Sequence, residues 1–257
     1  MSSFVKTRPD APEGFFEAEA AGLRWLGEAT AAGGARVVGV EAVEPGRITL
    51  EEVRETRPTP EAARAFGRAL AVTHDAGAEA FGAPPSGWEG PSFIGRRPLS
   101  TRPEESWGSF YASQRVEPYA AVALSAGTLS GEEHGLILRA CRLVADGAFD
   151  DDDQPARLHG DLWNGNVLFS PGGVVLIDPA AHGGHRETDL AMLELFGCPW
   201  LDEVLAGYDE AHPLRHGRQD RVPLHQLHPL AVHAAGHGRS YGVALVRAAR
   251  ATLDLAS

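Results

Sequence analysis

No apolar run in this sequence approaches the length of a membrane span, and no charged-then-apolar leader opens it. Cysteine is nearly absent. Cys141 and Cys198 are the only two, too far apart in sequence for a metal-binding or redox spacing, and they read as thiols kept in a reducing compartment. Basic side chains are in deficit, with 23 Lys and Arg against 35 Asp and Glu and a formal charge of -12. That balance argues against nucleic acid or an anionic membrane as the main partner, because both require clustered cations. Internal repeats and a low-complexity tail are also missing. What remains is an ordinary globular composition, 43% hydrophobic and 23% charged, in 257 residues. Such a chain suffices for one large domain or two lobes. The expectation is a cytoplasmic monomer.

The organisation changes along the chain. Ser3–Thr7 has strand composition, and Phe16, Ala20, Leu23 and Leu26 recur at helical spacing between Phe15 and about Ala32. Two further strands are expected over 36–43 and 47–53, joined by Glu44-Pro45-Gly46. Thr59-Pro60-Glu61 then starts a helix with a capping hydroxyl, proline at the first position and an early acid. Residues 78–104 read as a structured loop, and 106–126 and 130–147 as helices. Val167–Ser170 and Val174–Ile177 flank Pro171-Gly172-Gly173 as a hairpin. From Asp189 onward helices dominate, interrupted by a loop over 212–223. The fold class expected is α+β: a small strand-bearing lobe over residues 1–53 and a larger, mainly helical lobe over 54–257.

The chemistry concentrates between Leu158 and Asp178. Asp161 and Asn166 stand five apart on a segment with Gly160 and Gly165, just before the hairpin. Asp178 closes the second hairpin strand, so the chain returns it close to Asn166. Two oxygen ligands meeting this way suit Mg²⁺, which takes few hard protein oxygens and fills its shell with water and phosphate. Asp161 is then free to accept a proton from an attacking hydroxyl. This is the Asp-x-x-x-x-Asn spacing of a kinase catalytic loop followed by a metal-binding Asp. His159 is read as a packed histidine bracing that loop. Glu19 shares the buried stripe of its helix and needs a partner there. Lys6, on the preceding strand, is the natural one, as in the lysine–glutamate pair that positions nucleotide phosphates. The order of elements puts a backbone hinge for adenine at Glu51, Glu52 and Val53.

His159-Gly160-Asp161-Leu162-Trp163-Asn164-Gly165-Asn166 resembles the signature of the fructosamine kinase (ketosamine-3-kinase) family, within the aminoglycoside-phosphotransferase-like group of the protein-kinase-like fold. Phe4-Val5-Lys6, Ile177-Asp178-Pro179-Ala180, the stretch from Gly184 to Met192 and Leu195-Phe196-Gly197 extend the resemblance over the whole chain. The resemblance implies an ATP- and Mg²⁺-dependent kinase that phosphorylates the third-carbon hydroxyl of a sugar carried on an amine. The product adduct falls off, repairing glycation. By residue match Asp161 is the base, Asn166 and Asp178 hold the metal, Lys6 with Glu19 contacts ATP, and Trp163 helps form the ketosamine site. The family's glycine-bearing strand pair has no counterpart before Phe4, so the small lobe reads as N-terminally truncated. The alternatives are a phosphotransferase for an aminoglycoside or another small metabolite, and a non-catalytic pseudokinase.

Other groups stand outside this set. His185 and Arg186 are expected either to contact substrate or to support the Asp178 loop through a salt bridge. Asp189 is expected to cap or brace the helix that follows it. The acidic run 150–153 reads as a solvated loop. His225 with His228, and His233 with His237, have helical spacings that zinc can use, but packed or exposed histidines are the expected outcome.

Overall fold

The computed structural model describes residues 2–256. Strand β1 (Ser3–Thr7) pairs antiparallel with β4 (Arg47–Glu51), which pairs on its other side with β3 (Val40–Glu44). β1 is thus an edge strand. Helix α1 (Phe15–Gly27) starts after Gly14, whose left-handed φ of 80° suits glycine. It buries Phe16, Ala20 and Leu23 against Ile48 and Leu50 of β4. This stripe leaves Glu19 at the inner edge of the helix, facing β1.

The expected single strand over 36–43 is split. β2 (Arg36–Val37) runs parallel to β9 (Gly173–Leu176) of the later hairpin, and only β3 joins the first sheet. Gly39 lies at the changeover. The Val38 N–H donates to the Leu176 carbonyl, while the Gly39 carbonyl accepts from Glu51. One short segment therefore ties the first sheet to the hairpin β8 (Val167–Ser170)–β9.

Helix α2 (Pro60–Asp75) begins as its sequence dictates, with the Ala62 N–H donating to Thr59 Oγ1 at 3.2 Å. It packs on α7 (Leu201–Ala211) at a pair of glycines. A Cβ on Gly67 would stand 1.9 Å from the Val204 carbonyl oxygen, and one on Gly207 2.0 Å from that of Arg64. Around this pair and α6 (Arg186–Phe196) lies one core cluster, with Phe66, Leu70, Leu162, Leu190 and Tyr208. A second gathers α4 (Glu117–Ser125), α5 (Gly131–Ala145), α8 (Arg218–His225), α9 (Leu227–Ala234) and α10 (Arg239–Leu255). α8 occupies much of the loop expected over 212–223.

Three further features depart from the sequence expectations. The loop over 78–104 contains a hairpin, β5 (Ser92–Ile94) and β6 (Arg97–Leu99), turning at Gly95 with φ 56°. The helix over 106–126 is interrupted. Between α3 (Trp107–Phe110) and α4, residues Tyr111–Val116 wind as a π-helix that turns Tyr111, Gln114 and Arg115 all inward. Finally, β7 (Ala156–Leu158) pairs with β10 (His182–Gly184), so the chain enters and leaves the segment 159–181 side by side. Among the described residues, no helix is long and apolar enough to cross a membrane.

Candidate active site

β7 delivers His159, Gly160 and Asp161 to the mouth of the cleft. Gly160 has φ 79°, and a Cβ there would stand 2.2 Å from the Ala180 carbonyl oxygen, so the turn requires glycine. The buried His159 ring braces this turn. Its Nδ1 accepts from the Asp161 N–H at 3.2 Å, and its Nε2 donates to the Ile177 carbonyl at 2.9 Å. One ring thus sets the spacing between Asp161 and Asp178.

The Asn166 amide nitrogen donates to the Asp161 carbonyl at 2.8 Å and to its carboxylate at 3.2 Å. A longer bond of 3.4 Å reaches the Asp178 carbonyl. This arrangement leaves the Asn166 side-chain oxygen turned away from those partners. Asp178 has φ 54°, a left-handed conformation that Asp tolerates better than most residues. Its carboxylate bonds Lys6 Nζ, and Lys6 also reaches Glu19 at 2.8 Å. α1 is held close to this point, because Gly22 abuts Pro179 and Ala181.

Charge is distributed to match. Burial pushes the Asp161 carboxyl up to about 7; Asn166 opposes the rise, and Asp178 and Asp189 add to it. A carboxylate near neutrality suits proton acceptance from a hydroxyl. Burial pulls Lys6 down, but Glu19 and Asp178 outweigh it and hold the ammonium charged. Burial raises Glu19 against the opposing effect of Lys6. The Asn166 amide oxygen and the Asp178 carboxylate are hard donors, and two protein oxygens leave the other positions of a cation's shell to water and phosphate. That donor set fits Mg²⁺.

Behind the turn lies a support that sequence reasoning misplaced. Asp189, 1% exposed, does not cap its own helix, whose first turn is capped by the His185 ring accepting from Glu187 N–H. Its carboxylate instead accepts from the backbone N–H groups of His159 (2.8 Å) and Gly160 (3.0 Å) and from His74 Nε2 (3.2 Å). His74 Nδ1 in turn accepts from the Tyr208 hydroxyl at 2.8 Å. Burial would raise Asp189, but His74 and His159 hold it below the ordinary carboxylate range.

Asp161, Asn166, Asp178, Glu19 and Trp163 line one cavity of about 230 Å³. Asp161 and Trp163 also line a larger one of about 700 Å³, reaching to α9 and α10. The half-exposed Trp163 indole lies over Gly165, where a Cβ would stand 2.3 Å from the ring.

Other expected residues lie apart. His185 and Arg186 line neither cavity and are buried; of the two uses expected they show salt bridges, to acids away from the Asp178 loop. His185 Nε2 faces Asp151 at 3.3 Å, and Arg186 bonds Asp153 and Asp75 at 2.7 Å. The run 150–153 is a largely exposed loop, as expected, but its carboxylates are tied to neighbouring elements. Asp150 accepts from the Gly108 N–H at the start of α3, and Asp151 and Asp152 both reach Arg215. Glu51, Glu52 and Val53 line neither cavity. Glu51 is paired with Arg36, and the Glu52 N–H donates to the Ser2 carbonyl. His225 and His228 are packed and bonded within the protein, to Thr188 and to the Arg115 carbonyl. The hairpin β5–β6, which sets Phe93 on the first cavity and Arg96 on the second, was missed. Its signal was Gly95-Arg96, a two-residue turn opening with glycine.

The Fructosamine kinase family profile matches residues 1–254. The chain belongs to the fructosamine kinase family. It is 32% identical to a "probable ketoamine kinase" of Enterococcus faecium over 93% of this chain and 83% of that one. The crystal structure of a "putative fructosamine-3-kinase" from Thermobifida fusca superposes with a TM-score of 0.90 at 47% identity. That match covers 98% of this chain and 85% of the other. Choline kinase LicA from Streptococcus pneumoniae, at 16% identity and a TM-score of 0.61, shares the fold. It covers 98% of this chain and 86% of that one. The resemblance read from the catalytic segment and the α+β, two-lobed, protein-kinase-like fold are both borne out, and membership makes this fructosamine kinase homologue a phosphotransferase.

Proposed function

We propose that the protein transfers the terminal phosphoryl group of ATP to the third-carbon hydroxyl of a ketosamine, a step that repairs glycation. The convergence of Asp161, Asn166, Asp178 and Glu19 at one cavity, with Lys6 bonded to both Asp178 and Glu19, carries this reading. Asp161 orients the acceptor hydroxyl and takes its proton. Lys6, steadied by Glu19, meets the nucleotide phosphates. Asn166 and Asp178 hold Mg²⁺, which neutralises phosphate charge when bound. Trp163 offers an apolar face to the sugar; at the expected hinge over 51–53 the Glu51 and Glu52 N–H groups are already bonded within the protein, which leaves the Val53 backbone to meet adenine. The Mg²⁺, ATP and ketosamine assignments rest on donor chemistry and on the family.

The test is phosphoryl transfer from MgATP to fructose- and ribulose-adducted lysine, read by mass spectrometry beside a panel of aminoglycosides. Transfer to the ketosamines is expected, and Asp161→Asn lowers kcat by about 10²–10⁴-fold while MgATP binding persists. Transfer confined to the aminoglycosides, or full activity in Asp161→Asn, refutes the proposal.

A further inference from the structure

The larger cavity beyond Asp161 is electrically unlike the rest of the molecule. The protein carries a net charge of -12, but Asp161 is the sole carboxylate among the residues lining this cavity. The opposite wall presents Arg96 and Arg97 from β5–β6, with His233 of α9, Tyr241 at the start of α10 and His237 from the turn between them. Arg97 is anchored, because its guanidinium donates to the Ala235 carbonyl at the end of α9. Arg96 sits at the tip of the turn, exposed, with no carboxylate partner among the described residues. The imidazole of His233 is pinned by its Nδ1 to the Pro229 carbonyl at 2.8 Å and packs against His237 and Tyr241 at ring separations of 4.9 Å. α10 also begins at this wall, and the amino end of a helix adds positive potential.

We infer that this wall receives an anionic group on the acceptor, so that the preferred ketosamine carries a carboxylate on its amine part or a phosphate on its sugar. The inference rests on the ketosamine reading and narrows it. With the reacting hydroxyl at Asp161 and the sugar on Trp163, the rest of the acceptor extends into the cavity of about 700 Å³ toward Arg96. A polycationic acceptor meets two guanidinium groups there, and a neutral one leaves Arg96 unused. Arginine suits the task because its planar fork of donors matches carboxylate and phosphate geometry.

Three synthetic acceptors separate the possibilities: the fructose adduct of glycine, that of glycinamide, and the fructose 6-phosphate adduct of glycinamide. Turnover with MgATP and calorimetric binding are measured separately on the full chain. The glycine adduct is expected to exceed the glycinamide adduct in kcat/KM by about tenfold, the ratio one charge-assisted hydrogen bond provides. Arg96→Gln narrows that ratio to about twofold, and because Arg96 is exposed the variant keeps its fold. If the phosphate-bearing adduct alone shows the advantage over glycinamide, and Arg96→Gln removes it, the anion belongs to the sugar. Equal turnover of all three adducts overturns the inference and leaves the ketosamine reading standing. An acid-over-amide ratio unchanged in Arg96→Gln overturns the assignment to this wall. If no adduct binds or reacts, both readings fall.

Discussion

At the scale of single residues, the turn that carries Asp161 depends on a carboxylate buried behind it. Asp189 takes three donors, from His159, Gly160 and His74, inside a protein interior. Asparagine in its place directs an NH₂ group at one of these N–H donors whichever way its amide is turned. Asp189→Asn is therefore expected to lose roughly 2–4 kcal/mol of stability, the range for a buried charged acceptor left mismatched. Denaturant unfolding measures this, and a loss below about 0.5 kcal/mol, the level of a neutral surface change, would sink the assignment. Because the turn also carries Asp161, kcat falls with it. The same residue shows where sequence reading stops. Lys6, Glu19, Asp161, Asn166 and Asp178 were legible because each lies at a fixed spacing within one strand, helix or hairpin. Asp189 was assigned to its own helix because an acid in a first helical turn has a local use. Its backbone partners precede it by about thirty residues and His74 by 115, distances that only tertiary packing closes.

At the scale of elements, the approach of α2 to α7 decides whether that support is in place. The two helices meet backbone to backbone at Gly67 and Gly207. α2 brings His74 and α7 brings Tyr208 to the chain of bonds ending at Asp189. Gly67→Ala sets a methyl group 1.9 Å from a carbonyl oxygen, so the helices must separate or shift. A destabilisation of about 1–3 kcal/mol is expected, as for overpacking elsewhere. Activity falls further than Gly67's distance from the cleft suggests, since the shift draws Tyr208 from His74. Thermal unfolding with kcat on the same samples checks this, and an undisturbed Tm would contradict the packing argument. The helices themselves were readable from capping and periodicity. Their contact was not, because a glycine inside a helix has the same sequence appearance whether it faces water or another backbone. The split strand over 36–44 and the π-wound segment at Tyr111–Val116 are likewise decided by partners remote in the chain.

At the scale of the whole molecule, several buried imidazoles are kept neutral. His74 faces Asp189, Tyr208, Asp75 and Arg186; His182 faces Arg115 and His228. His225 faces His185, Glu187, Arg218 and Arg221, and His228 faces Arg115 and His233. Burial is the leading cause in each case. It lowers His74, drives His182 and His225 well below the ordinary 6.5, and brings His228 to about 3. The unfolded chain takes up these protons near 6.5 and the folded chain does not, so below that pH the unfolded state binds more protons. Stability is complete above 6.5 and declines as the pH falls toward the folded values. Carboxylates held low, such as Asp151 and Glu133 at about 2, act only at lower pH, whereas Asp161, raised to about 7, takes up its proton in the folded state and offsets about one histidine's share of the loss. Lowering the pH from 7.5 to 5.5 is therefore expected to cost on the order of 1 kcal/mol for each such histidine. Calorimetric melts at constant ionic strength read the result directly. His228→Gln, which keeps a side-chain donor toward the Arg115 carbonyl, is expected to flatten the decline by one histidine's share. A Tm that does not change between pH 7.5 and 5.5 would mean that these rings take up protons in the folded state.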